Sequence, residues 1–125
     1  MSAVLDTTVL IDVLRGHAAA VNYLLALADV PVCSEVSRVE VIRGLRSAER
    51  RPAEQLFQRL RWIEVDESVA RTAGELGRGI RRSHKGIGVA DLIIAATAER
   101  ARLPLATTNV RHFPMLKGLR APYRD

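Results

Sequence analysis

The sequence predicts an α/β fold, an α/β/α sandwich with a central, mainly parallel sheet flanked by helices. Three observations carry the α/β assignment. Short apolar runs bounded by turn signals recur at residues 3–5, 30–33, 62–65 and 105–107, and runs of that kind read as buried strands. Longer stretches with helical apolar spacing lie between them, and strands alternating with helices give a parallel sheet. The 125 residues contain no Gly/Ser-rich linker, repeat or low-complexity tract. They are therefore expected to form one domain over 1–125, burying roughly two-thirds of the unfolded surface.

In order, the first strand closes on Asp6, and a helix over 9–14 stops at Gly16. The Ala/Leu-rich stretch 18–27 is a helix that ends before Pro31, ahead of the strand at 30–33. Ser34 or Ser37 caps the helix carrying Glu40, which runs to about residue 45. Pro52, acceptable in a first helical turn, opens a helix through residue 60. The strand at 62–65 leads to Asp66 or Ser68, either of which caps a helix to about residue 82. The loop 83–88 feeds a helix over 89–101. The strand at 105–107 ends in the polar turn Thr108-Asn109.

Composition narrows the chemistry. The single cysteine, Cys33, excludes an intramolecular disulfide framework and a Cys-based zinc site, and it fits a reducing compartment. No targeting segment is expected, and the apolar run at 92–98 is too short to span a bilayer. A net charge of +5 favours polyanionic partners. Bases are dense at Arg38, Arg43, Arg46, Arg50 and Arg51, and again at Arg78, Arg81, Arg82 and Lys85. With only 4% aromatic residues, a base-stacking platform is disfavoured, and contact falls to the phosphate backbone.

Three acids sit in apolar settings: Asp6 after Val4-Leu5, Glu40 between Val39 and Val41, and Asp91 before Leu92-Ile93-Ile94. Carboxylates are rarely buried unless paired or bound to metal. An acid at the carboxyl end of a strand also stands where open α/β sheets place their chemistry. Each has a plainer reading. Asp6 serves equally as a helix cap, Glu40 as a solvated partner of Arg43, and Asp91 as a favourable charge at a helix start, with Ile94, Ala95 and Ala98 on its face. Asp12 reads as helix support rather than a ligand, and His112 as a hydrogen-bonded structural histidine. His17 and His84 carry no motif.

Four blocks stand in order across nearly the whole chain: Val4-Leu5-Asp6-Thr7-Thr8-Val9-Leu10-Ile11-Asp12, Ser37-Arg38-Val39-Glu40-Val41-Ile42-Arg43-Gly44-Leu45, Ala90-Asp91-Leu92-Ile93-Ile94-Ala95-Ala96-Thr97-Ala98, and Leu105-Ala106-Thr107-Thr108-Asn109-Val110-Arg111-His112-Phe113. Together they resemble a PIN domain, and within that superfamily the small VapC-type toxins of toxin–antitoxin pairs. The resemblance implies a metal-dependent endoribonuclease, with Asp6, Glu40 and Asp91 holding Mg²⁺ or Mn²⁺ and RNA as substrate. It further implies 5′-phosphate and 3′-hydroxyl products, a small VapB-type antitoxin as partner, a homodimer, a cytoplasmic setting and no membrane.

The fourth catalytic position falls on Asn109, with His112 three residues on, where relatives frequently carry Asp. The expectation is one well-held metal, with a second weaker or dependent on substrate phosphate. Thr8, Thr108, Arg111 and His112 are candidates for positioning water or phosphate. Two other readings compete. A haloacid-dehalogenase-type phosphatase also begins with a strand-end aspartate, but it wants a second Asp where this chain has Thr8. A PIN scaffold weakened at Asn109 would bind RNA or protein without cutting. The helix 18–27 and the face around Leu56 and Leu60 are candidate association surfaces.

Overall fold

The computed structural model describes residues 1–80 and 86–124. Arg81, Arg82, His84 and Lys85, part of the second basic cluster and of the expected loop, lie outside the described residues. Four short strands, β1 (Val4–Leu5), β2 (Val32–Ser34), β3 (Arg61–Ile63) and β4 (Leu105–Ala106), form one sheet in the order β3-β2-β1-β4, with every pair parallel. Six helices connect them: α1 (Thr7–Leu14), α2 (Ala18–Ala26), α3 (Glu35–Arg43), α4 (Arg50–Phe57), α5 (Glu67–Ile80) and α6 (Val89–Ala101). Single turns of 3₁₀ helix lie at Ser47–Glu49 and Val110–His112.

The period-two alternation of strands sorts the core onto two faces. Leu5, Cys33 and Ala106 pack with Val9, Leu10, Val41, Ala53 and Phe57, beneath α1, α3 and α4. Val4, Val32 and Leu105 face the other way, against Ile94, Ala95, Ala98 and Phe113. Helix α5 closes this second layer on α6 through Val69, Ala73 and Ala96. Burial raises the Cys33 thiol to about 12, so it is a packing residue rather than a reactive one.

Local chemistry sets the boundaries. The Ser34 hydroxyl accepts the Val36 N–H (3.2 Å) and the Asp66 carboxylate accepts the Val69 N–H (2.9 Å), so these two, rather than Ser37 and Ser68, cap α3 and α5. The first helix begins at Thr7, two residues earlier than apolar spacing suggests, because Asp6 takes the Thr7 N–H (2.8 Å) and seeds it. A 3₁₀ turn at Ser47–Glu49 precedes α4, so Pro52 falls inside the first turn rather than at its start. Leu60 is only 8% exposed and Leu56 packs on the core, which removes that pair as an association surface, whereas Leu25 on α2 is 73% exposed. No single helix among the described residues is long and apolar enough to cross a membrane.

Strand order positions the site. The chain steps from β1 outward to β2 and β3, then returns to place β4 on the far side of β1. The connections therefore diverge at the carboxyl ends of β1 and β4, and parallel sheets leave a crevice at such a switch point.

Candidate active site

Asp6 follows β1 directly and occupies that crevice. The β1–β4 register pairs Val4 with Leu105 and Leu5 with Ala106, and the Asp6 N–H donates to the Ala106 carbonyl (2.9 Å). One step further along the register, Thr107 stands beside Asp6. Its hydroxyl donates to Asp6 Oδ2 (2.6 Å) and accepts the Asn109 N–H (2.9 Å). The Thr8 hydroxyl adds a second donor to Oδ2 (3.1 Å), while the Thr7 N–H holds Oδ1. Asp6 is only 4% exposed. Burial, which disfavours the charged form, raises its pKa above the ordinary 3.8; the three hydrogen bonds oppose that shift, and the charge of Asp91 adds to it.

Glu40 reaches the same end of the sheet from α3. The Thr7 hydroxyl donates to Glu40 Oε1 (2.6 Å) and lies 3.0 Å from the Ser37 hydroxyl. A hydroxyl has one proton, so with Glu40 taking it Ser37 is the donor in the second contact. The Ser37–Thr7–Glu40 relay ties α3 to the head of α1. Glu40 is thus held by Thr7, one residue from Asp6, and not by Arg43.

Asp91 lies in the first turn of α6, and its carboxylate is about one-fifth exposed (21%). Its Oδ2 is 3.2 Å from His112 Nδ1 and 3.4 Å from the Gly88 N–H. His112, in the 3₁₀ turn after β4, is half exposed and joins the acids at the mouth of the crevice. Asn109 begins that turn and is tied by its backbone to Thr107; Arg111 is exposed beyond it. The structure assigns no hydrogen bond to the Thr108 side chain among the described residues. Asp12 accepts a hydrogen bond from the Tyr123 hydroxyl (2.6 Å), which is a supporting role.

The acids thus gather at one end of the sheet without meeting. Among the described residues, no three acidic, imidazole or thiol groups lie close enough together to hold one ion. The donor chemistry nevertheless suits a hard cation: Asp6, Glu40 and Asp91 offer oxygen alone, the preference of Mg²⁺. A buried carboxylate whose proton affinity is raised by burial and by a second carboxylate is a place where a cation relieves both costs.

Three residues of the network, Thr7, Ser37 and Thr107, were not assigned to the site by sequence reasoning, which weighed Ser37 only as a helix cap. Thr107 was legible in principle. It is a hydroxyl residue ending an apolar strand, and in register it neighbours the strand-end acid. Thr7 and Ser37 had no such signal, since their contact joins positions 30 residues apart.

Comparison with known proteins agrees with this geometry. The PIN domain family matches residues 3–117. The chain is 47% identical over 120 residues to Ribonuclease VapC10 of Mycobacterium tuberculosis, spanning 94% of this chain and 90% of that protein. It is 43% identical over 122 residues to Ribonuclease VapC19 of the same species, spanning 95% and 98%. Among solved structures, a toxin–antitoxin complex from Klebsiella pneumoniae contains a chain that superposes with a TM-score of 0.84 at 26% identity, covering 98% of this chain and 99% of that one.

Proposed function

The chain belongs to the PIN-domain family, in its VapC branch, and from that premise we propose that it is a metal-dependent endoribonuclease, the toxin of a two-component module neutralised by a cognate VapB-type antitoxin. The observation that carries the reading is Asp6: a nearly buried carboxylate at the switch point, fixed by three donors and pressed by the charge of Asp91. The ribonuclease names of relatives 43% and 47% identical over nearly the whole chain support RNA as the substrate.

The residues divide the work. Asp6, Glu40 and Asp91 would hold Mg²⁺ or Mn²⁺, which when bound supplies positive charge to the phosphodiester and lowers the pKa of water. Thr8 and Thr107 fix the Asp6 carboxylate in one orientation, and Thr7 does the same for Glu40. His112 holds Asp91 at the mouth. Arg111 and Thr108 would meet a phosphate, and Asn109 would take the fourth position through a neutral amide. Attack in line on the RNA backbone leaves a 5′-phosphate and a 3′-hydroxyl. The antitoxin inhibits by bringing a cationic side chain to the same acids. The active toxin is a cytoplasmic homodimer without membrane attachment.

A second reading has its own support. The acids form no ready three-ligand group among the described residues, and Asn109 offers no charge, as in a scaffold that binds RNA without cutting it. One experiment decides: total cellular RNA incubated with wild type and Asp91→Asn, each with Mg²⁺, Mn²⁺ or EDTA. Discrete cuts that need metal and vanish in the variant are expected. RNA binding by both proteins with cleavage by neither would establish the scaffold instead.

A further inference from the structure

Helix α3 carries Glu40 yet buries only Ser37 and Val41. Val36 adds a partly buried contact with the second core layer, which still leaves a narrow apolar seat for nine residues, since helices in proteins gain most of their stability from a packed apolar face. Val39 and Ile42 of this helix are exposed. A different kind of contact reinforces the seat. The Arg38 side chain runs back along the helix, and its guanidinium engages Glu35 through two bonds, Nε to Oε1 (2.6 Å) and Nη2 to Oε2 (3.3 Å). The same guanidinium lies over the Trp62 ring of β3, 4.0 Å from its centre, and 5.2 Å from that of Phe57 in α4. Trp62 is fixed in turn: its indole N–H donates to the Phe57 carbonyl (3.0 Å), and the two rings meet edge to face (88°).

We infer that Arg38 is a positioning residue: its stack on Trp62 and Phe57 rivets α3 to the β3 edge and thereby sets where Glu40 stands. The inference rests on the proposed nuclease reading. Arg38 belongs by sequence to the basic cluster suited to phosphate, but its edge is spent on Glu35 and its face on Trp62. A flat, bidentate cation in this setting is not replaceable by lysine, and a guanidinium over tryptophan is the strongest form of cation–π contact. Two residues along the helix, Glu40 receives the Thr7 hydroxyl through a short bond that tolerates little displacement.

The test uses Arg38→Met, Arg38→Lys, Trp62→Leu and Trp62→Phe in the full chain, read three ways. First, kcat and KM are measured on a cleaved RNA. Arg38→Met and Trp62→Leu are expected to lower kcat by on the order of ten- to a hundredfold, the scale of a misplacement near 1 Å, with KM within about twofold. Trp62→Phe, which keeps an aromatic face, is expected to lie closer to wild type than Trp62→Leu, and Arg38→Lys closer to Arg38→Met than to wild type. Second, hydrogen exchange should quicken in residues 35–43 and stay unchanged in α6. Third, Trp62 is the only tryptophan of the chain, so loss of the guanidinium should change its emission. A rise in KM with unchanged kcat and a shallower salt dependence would make Arg38 a phosphate contact and overturn the inference. Unchanged exchange over 35–43 would overturn it too, even if a variant lost activity by misfolding elsewhere. A wild type that cleaves no RNA under any metal refutes the nuclease reading, while exchange and emission still decide the rivet.

Discussion

At the scale of single residues, Asp6 ties stability to pH. Its folded pKa is raised, so the folded chain binds more protons than the unfolded one between 3.8 and the raised value. Stability therefore falls as pH climbs through that window, and the full penalty stands above it. Asp6→Asn carries no titrating group there. In metal-free buffer its unfolding free energy is expected to gain on wild type as pH rises from 3 to 7, as urea melts across that range would show; a constant difference would refute the assignment. Thr107 acts in the opposite sense, because its short bond stabilises the carboxylate. Thr107→Val leaves the buried acid short of a donor and should cost about 1.5–3 kcal/mol, the scale of a hydrogen bond to a charged group. Thr107→Ser, which keeps the hydroxyl, should recover most of that loss in the same melts.

At the scale of elements, most ends were legible because caps are local chemistry. Residue type narrows the helix starts to Ser34 or Ser37 and to Asp66 or Ser68, and it gives the turn at Gly16 and the acid at the end of β1 outright. The contacts between elements were not legible. Nothing near Thr7 announces Ser37, and the burial of Leu60 depends on where α4 docks. The end of α6 shows the difference between a legible stop and an optimal one. Arg102 terminates this helix at φ 56°, a left-handed conformation that suits glycine. Arg102 is exposed, so Arg102→Gly should relieve the strain and stabilise the chain by up to about 1 kcal/mol in thermal melts. A loss of stability would show that the arginine side chain makes a compensating contact.

At the scale of the whole molecule, the acids belong to three separate elements, Asp6 after β1, Glu40 on α3 and Asp91 on α6. A cation bridging them would link those elements, and a ligand bound only by the folded state stabilises it by mass action. Adding Mn²⁺ or Mg²⁺ is expected to raise the wild-type melting temperature by several degrees and to leave Asp6→Asn and Asp91→Asn nearly unmoved, as scanning calorimetry would measure. Equal shifts in all three proteins would place the cation elsewhere. Three acids and four strands could be read from one sequence because each announces itself within a few residues. Their assembly could not, because it depends on pairings that span most of the chain. Within the site the longest of these, the bond between Thr107 and Asp6, joins positions 101 residues apart, and it has a consequence in time. Translation makes Asp6 101 residues before Thr107. Until β4 emerges from the ribosome, β1 lacks one of its two neighbours and the Asp6 carboxylate lacks its shortest hydrogen bond, so the acid is not held in its final place before that strand is made.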